Sequence, residues 1–406
     1  MISAMPTHVP LRLAPRQAVD ALPFDDRPRL QTYSGRVAIL QGLKALGLGR
    51  GSVVLVPAYA CGSEIDAVLK AGCEVVFYPV TQTLEPDLEA CERAVQANPS
   101  INALFFTHYL GFAQPVGALR QFADAHDLVL IEDCAHGLLS CDETGQPLGR
   151  TGDIAIFSYM KTLPLTDGGA CVINRDGVAF DPGALRPPKI TKLLGRFLYQ
   201  IELSLKGSAP RAAGVFHVVV RGPVRLLKAV LKGGRGQRRA ATPAEPAVQQ
   251  AAPDNSEEME VLALDPARRD WALSVLARGT LARLDLETMP KIRRRNYERL
   301  LPRIKQIEGL RPLFDRWPPG VCPMAFPVVI EACPAAVFQR HLAAAGLSTK
   351  YFWSYFHDIF PRDDFPFETR LKTSVLALPI HQDLSEADMD EVADIVARVM
   401  AEQRSA

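Results

Sequence analysis

The 406-residue sequence lacks most of the features that would assign it at a glance. Its eight cysteines include no C-x-x-C pair, which excludes the usual zinc knuckle and the thioredoxin-type redox motif. No uninterrupted apolar run approaches the roughly 20 residues that span a bilayer. The opening stretch MISAMPTHVPLRLAPRQAV has no continuous apolar segment and is broken by prolines, so no secretory signal is expected. A reduced, cytoplasmic setting follows as the expectation. There is no excess of charge either: 46 Lys+Arg face 45 Asp+Glu, a net +1, which gives no reason to expect nucleic-acid binding. What is present is a hydrophobic content of 48%, enough to exclude a collagen-like or wholly disordered chain.

Residues 1–32 are rich in Pro and Arg and read as an N-terminal arm. From residue 33 to about 180 short β-branched runs alternate with helical stretches. SVVLVP (52–57), EVVFYPV (74–80), NALFFTHYLG (102–111), LVLIED (128–133), IAIFSY (154–159) and GACVIN (169–174) are the strand candidates. Residues 36–47, 63–71, 86–97 and 116–126 carry helical spacing between them. This alternation predicts an α/β fold with a mostly parallel sheet flanked by helices on both faces. In such sheets ligands sit beyond the carboxyl ends of the strands. That rule directs attention to Pro57–Cys61, His108–Gly111, Asp133–His136 and Ser158–Lys161, where polar groups accumulate.

The near-zero net charge conceals an uneven distribution. Residues 186–239 hold 13 Lys+Arg and one acid, Glu202, for a net +12, whereas the rest of the chain holds 33 bases and 44 acids, for −11. The basic stretch and the Ala-, Pro- and Gln-rich linker behind it together span 181–260. Two readings of 186–239 stay open. Lys and Arg mixed with Leu, Val and Phe suit a peripheral helix on an anionic membrane. The same residues would also suit a segment packed on the acidic remainder or over a dimer. Order returns in 261–406, where 268–301 reads as one or two long helices. MAFPVVI (324–330) and VLALPI (375–380) read as strands, and 335–346 as a helix ended by Gly346. Asp383 or Ser385 is placed to cap a last helix. These features predict a smaller C-terminal α/β domain.

Three features carry chemistry. Asp133 ends an apolar strand, where an acid faces the ligand crevice. Lys161 follows the next strand and is trailed by TLPLTDGG, whose Gly168 and Gly169 allow a tight turn and a close approach. Ser34, Gly35 and Arg36 open the first helix, whose free N–H groups can receive a phosphate. A phosphate cradle, an acid at a strand end and a lysine beyond the next strand together suit pyridoxal 5′-phosphate. The lysine would hold the aldehyde, and the acid would keep the pyridine nitrogen protonated. Each feature alone has a plainer explanation, as a helix cap, a loop acid or a surface lysine.

SGRVAILQGLKALGLGRGSVVLVPAY, LVLIEDCAH, LGRTGDIAIFSYMKTLPLTDGG, LARLD, RRRNY and LALPIHQDLSEADMDEVADIV occur in an order that resembles the DegT/StrS family of PLP-dependent sugar aminotransferases. The resemblance runs over about 33–180 and 268–400. It implies fold type I, a PLP-binding large domain and a homodimer. It also implies transfer of an amino group, from glutamate, to a keto-sugar nucleotide in polysaccharide or secondary-metabolite synthesis. Residue by residue it implies Lys161 as the Schiff-base lysine, Asp133 on the pyridine nitrogen and His136 near the ring hydroxyl or the phosphate region. Ala135 would lie at one ring face, with Ser158 and the 34–36 turn at the phosphate. His108 would stand beside the cofactor, and His357 and Arg268 on the substrate side. No metal is implied.

The sequence also departs from the family pattern. Ser158 stands three residues before Lys161, where five are common. Arg36 takes a threonine's place in the cradle. Cys61 takes that of the aromatic stacker, with Tyr59 nearby. The Gly-x-Asn-x-Arg segment from the neighbouring subunit has no clear counterpart, Pro266 and Arg268 falling at its Asn and Arg. Other possibilities are a binding or regulatory protein on this fold and another PLP lyase or dehydratase. Lys161 argues against the dehydratases, which carry histidine there. A desulfurase would need Cys322 or Cys333 on a substrate loop.

Overall fold

The computed structural model describes residues 2–4, 22–181, 183–189, 193, 198, 201–202, 263–316 and 318–405. Most of the N-terminal arm and of the basic insert lies outside the described residues. The element order follows from the apolar runs. β1 (Arg29–Thr32), α1 (Gly35–Ala45), β2 (Val53–Pro57), α2 (Ser63–Lys70), β3 (Glu74–Tyr78), α3 (Leu88–Ala97) and β4 (Ile101–Thr107) come first. They are followed by α4 (Val116–Ala125), β5 (Val129–Asp133), β6 (Ile154–Ser158), the single turn α5 (Tyr159–Thr162) and β7 (Gly169–Ile173).

These strands form one seven-stranded sheet in the order β1-β7-β6-β5-β4-β2-β3. Strands β3, β2, β4, β5 and β6 are parallel, while β7 runs antiparallel to β6, and β1 antiparallel to β7. The antiparallel pair at one edge accounts for the "mostly" in the expected mostly parallel sheet: β6 turns back through α5 without a crossover helix. Strands β2, β6 and β7 are buried along their whole length, as a sheet covered on both faces requires.

The second half begins with α6 (Val275–Leu281) and α7 (Thr288–Ile304), so 268–301 contains two helices. Then come β8 (Leu310–Pro312), β9 (Phe326–Ile330), α8 (Ala335–Ala344), β10 (Lys350–Tyr351), α9 (Pro366–Ser374), β11 (Val375–Leu378) and α10 (Glu386–Ser405). A four-stranded antiparallel sheet, β10-β11-β9-β8, results. Gly346 has the left-handed φ of +90° expected after a helix. Ser385 caps α10: its Oγ accepts from Asp388 N–H, and the Asp388 carboxylate accepts from Ser385 N–H. The two sheets share one apolar core. Tyr59, Leu104 and Phe106 of the first half lie in the same cluster as Phe326, Phe338 and Val396 of the second. Among the described residues no helix is long and apolar enough to cross a membrane.

Candidate active site

The carboxyl ends of β2, β4, β5 and β6 meet at one edge of the large sheet, opposite residues 352–357 of the second half. Asp133 closes β5 and is buried. Its Oδ1 accepts from Ala135 N–H at 2.8 Å. Burial raises its carboxyl to about 6, with Glu64 adding to the rise and Lys161 opposing it. Lys161 sits half-buried on α5, and its Nζ lies 3.0 Å from His136 Nε2. His136 Nδ1 accepts from Leu110 N–H at 3.2 Å, which leaves Nε2 as the ring nitrogen turned toward Lys161. Burial, together with Lys161, holds this imidazole well below its usual range and therefore neutral.

Gly168 and Gly169 assemble the opposite wall. Gly168 has φ +130° and donates its N–H to Tyr33 O at 2.7 Å. A Cβ on Gly169 would stand 2.7 Å from Phe157 O and Ser34 C and 2.8 Å from Gly35 N, all main chain. The missing side chain lets the Ser34–Gly35 turn press against the end of β6, where Gly35 approaches Ser158. The start of the 11-residue helix α1 and two buried hydroxyls, Ser34 and Ser158, thereby converge. Ser34 makes no side-chain cap, and its backbone is extended.

An aromatic wall closes the site from the second half. Phe352 and Trp353 stand 5.3 and 5.4 Å from the His136 ring, and Trp353 also meets Tyr59 and Tyr109. Trp353 is held at φ +72°, an outlier for a bulky residue. Buried Lys372 of α9 secures this segment by donating to the carbonyls of Trp353 and Tyr355, and across to Ala60. Burial lowers its ammonium to about 8, against the pull of Glu64.

Several residues singled out in the sequence are engaged otherwise. His108 is fully buried and uses both ring nitrogens within the protein: Nδ1 accepts from Gln114 N–H, and Nε2 meets Glu132 Oε1 at 3.0 Å. It organises the sheet beneath the site. Burial works to raise the Glu132 carboxyl, but His108 and the N–H groups of Gly149 and Gly152 outweigh it and hold it low. That carboxylate accepts five donors, the Cys134 thiol among them, so the buried His108, Glu132 and Cys134 side chains form a completed hydrogen-bond set. Cys61 cannot replace an aromatic ring. Its N–H and thiol both donate to Glu64, and burial pushes the thiol up to about 12. Tyr59 donates its hydroxyl to Phe352 O and is buried between Tyr109 and Trp353, a part of the wall. Arg36 turns to Ala263 O at 2.6 Å. Arg268 pairs with Asp265 and lies over the Tyr33 and Trp271 rings. His357, half-buried, reaches the rim beside Gly62. Cys322 is buried and accepts Ser140 Oγ at its carbonyl, unlike a cysteine on a substrate loop.

The residues missed in the sequence are Glu64, Trp353, Lys372 and Arg293. Glu64 left one signal, an acid in the first turn of a helix directly after a strand end.

This arrangement is that of the aminotransferase fold, and solved structures share it across nearly the whole chain. The aminotransferase TlmJ from Streptoalloteichus hindustanus superposes with a TM-score of 0.61 at 18% identity, covering 92% of this chain and 86% of that one. DesV of S. venezuelae, solved in complex with a ketimine intermediate, gives 0.59 at 21%, covering 92% and 84%. A Streptococcus pneumoniae protein solved in a PLP-form gives 0.63 at 15%, covering 99% and 93%. Residues 27–186 match the model of the DegT/DnrJ/EryC1/StrS aminotransferase family. GDP-perosamine synthase of Vibrio cholerae is 31% identical over 146 residues, 35% of this chain and 39% of that protein. The dTDP-4-dehydro-2,3,6-trideoxy-D-glucose 4-aminotransferase of Saccharopolyspora spinosa is 34% identical over 139 residues, 34% and 35% of the two chains. The matched part thus spans under two-fifths of the length of these curated relatives.

Proposed function

We propose that the protein is a pyridoxal 5′-phosphate-dependent aminotransferase. It would move an amino group from an amino acid, glutamate by resemblance, to a keto-sugar nucleotide. The observation that carries this reading is the 3.0 Å approach of Lys161 Nζ to His136 Nε2 beside buried Asp133, at the carboxyl ends of β5 and β6. The residues fit the cofactor. The Ser34–Gly35 turn and Ser158, brought together by Gly169, offer helix N–H groups and two hydroxyls to a phosphate. Asp133 offers a carboxylate to a protonated ring nitrogen. His136, with Nδ1 engaged by Leu110, has Nε2 left for the cofactor.

When bound, the cofactor supplies an electron sink that lets an amine be passed from one carbon skeleton to another. The protein's part is to place groups and move protons. Lys161 would hold the aldehyde between turnovers and, once released, carry a proton away from the donor's α-carbon and return one to the acceptor. Asp133 would keep the ring nitrogen protonated. Phe352 and Trp353 would exclude water from one side, while His357 at the rim is placed to meet the substrate. Across both halves the donor becomes an oxo acid and the keto sugar an amino sugar, so amine and oxygen are exchanged without an oxidant. The homodimer that the resemblance implies belongs to the same proposal and is checked by light scattering.

The test is the visible absorption of the purified protein with added cofactor. A lysine-bound band that disappears with glutamate, and returns with a keto-sugar nucleotide, is expected. Lys161→Ala should lose both changes. A band that persists with every amino donor would instead favour a binding protein on this fold, and a Lys161→Ala protein of unchanged turnover would sink the proposal.

A further inference from the structure

Arg293 lies on α7, in the second half of the molecule, and is fully buried. Among the described residues its guanidinium makes five hydrogen bonds, all to uncharged oxygens. Nη2 donates to Thr162 O at 2.7 Å and to Gln382 Oε1 at 2.9 Å. Nε donates to the same Gln382 oxygen at 3.0 Å. Nη1 donates to Pro323 O and Met324 O at 3.3 and 3.2 Å. A buried cation without a carboxylate partner is expensive to desolvate. Burial indeed presses its charge downward, with Cys322 and Asp383 opposing only through space. Hydrophobic packing would stabilise the same position more simply, so its geometry asks for another reason.

That reason is the carbonyl it reaches. α5 is a single turn of four residues, too short to persist by itself. The last carbonyls of a helix have no partner within it. Thr162 O is such a carbonyl, one residue beyond Lys161 in the same turn. The other end of the turn is tied by Tyr159 N–H to Gly168 O at 3.1 Å. Lys161 is therefore suspended between two anchors, one from the double glycine and one from Arg293. The serine-to-lysine loop here is shorter than in the resembled family, which leaves fewer residues to hold the turn locally.

We infer that Arg293, oriented by Gln382, is the positioning residue for Lys161: it fixes the turn that aims the amine at His136 and joins that turn to the second half of the molecule. The planar guanidinium fork suits this task, because its donors point in fixed directions toward three separate segments. Lysine at the same place would keep the charge but reach fewer acceptors.

The inference rests on the proposed role of Lys161, so its test includes a measurement that needs no cofactor. Arg293→Lys, Arg293→Met and Gln382→Met are compared with wild type. Acetic anhydride labelling of Lys161 is measured by mass spectrometry, with exposed Lys291 of the same chain as internal standard. Attachment of pyridoxal 5′-phosphate to Lys161 is followed in parallel by borohydride reduction. In the folded variants we expect the Lys161-to-Lys291 labelling ratio to change by about threefold or more, with attachment slowed about tenfold or more. Arg293→Lys should fall between wild type and Arg293→Met. A merely structural role would lower the melting temperature and leave the labelling ratio of folded protein unaltered. Folded variants whose ratio changes by less than about threefold would overturn the inference. If Arg293→Met does not fold, Gln382→Met, which removes two of the five bonds, decides by the same ratio. If wild type attaches no cofactor, the proposed function fails, and the labelling ratio still decides the role of Arg293.

Discussion

At the scale of single residues, the site holds groups in forms they would not choose in water. Asp133 is the clearest. Its folded value, about 6, lies above 3.8, so between those values the folded chain binds more protons than the unfolded one. Its contribution to stability therefore falls as pH rises through this window. Above about 6 the buried charge is a penalty of up to about 3 kcal/mol, at 1.36 kcal/mol per unit. Asp133→Asn should raise the melting temperature of the cofactor-free protein at pH 8, read by calorimetry. The same variant should bind pyridoxal 5′-phosphate roughly tenfold or more weakly in a fluorescence titration, since a charge-assisted hydrogen bond is lost. Opposite signs for stability and binding distinguish a functional acid from a structural one. The positions of the acid and the lysine, at and just beyond strand ends, were legible in the sequence, because the end of an apolar run marks where a strand stops. Trp353 was not, because its ring partners come from distant segments. Glu64 bonds its neighbours Cys61 and Ser63, while the fold alone brings it near Asp133 and Lys372.

At the scale of elements, the site depends on how closely β7, β6 and the start of α1 approach one another. Gly169 sets that distance. Gly169→Ala would place a methyl 2.7–2.8 Å from three main-chain atoms that cannot yield as a side chain would. The variant should lose about 2–3 kcal/mol in urea unfolding, and with it most of the cofactor affinity. Gly117 supplies the contrast. It lies in α4, and a Cβ there meets nothing within 4 Å. Gly117→Ala should stabilise by about 0.5–1 kcal/mol in the same assay and leave binding unchanged. Strand and helix positions were largely readable from their periods. Two details were not: the antiparallel return of β7, and the division of 268–301 into α6 and α7. Both depend on contacts across the sheet, not on local spacing.

At the scale of the whole molecule, two buried cations from the second half hold main-chain carbonyls of the first. Arg293 reaches Thr162, and Lys372 reaches Ala60 as well as Trp353 and Tyr355. Lys372 makes this link sensitive to pH. Its folded value, about 8, lies below 10.5, so between these the unfolded chain binds more protons. Its contribution to stability therefore rises as pH rises from about 8 toward 10.5, as the penalty for a buried charge is relieved. Urea unfolding of wild type across that window should show this rise, and Lys372→Met should flatten it. An equal slope in both proteins would count against the assignment.

By itself the sequence determined the α/β class and the order of the elements, and it put Asp133, His136, Ser158 and Lys161 at or just beyond strand ends. These depend on local rules: apolar period, strand ends and glycine where the backbone must turn. Only the tertiary structure decided which polar groups are available to a ligand. His108 and Cys61 were plausible ligands in the sequence, but Glu132, Gln114 and Glu64 occupy their polar atoms. Which of Arg293, Arg294 and Arg295 turns inward is likewise invisible in a run of three arginines, because burial of a cation depends on carbonyls that lie up to 131 residues away. Hydrogen-bond partners fixed across such separations belong to the fold, and they decide which side chains remain free for chemistry.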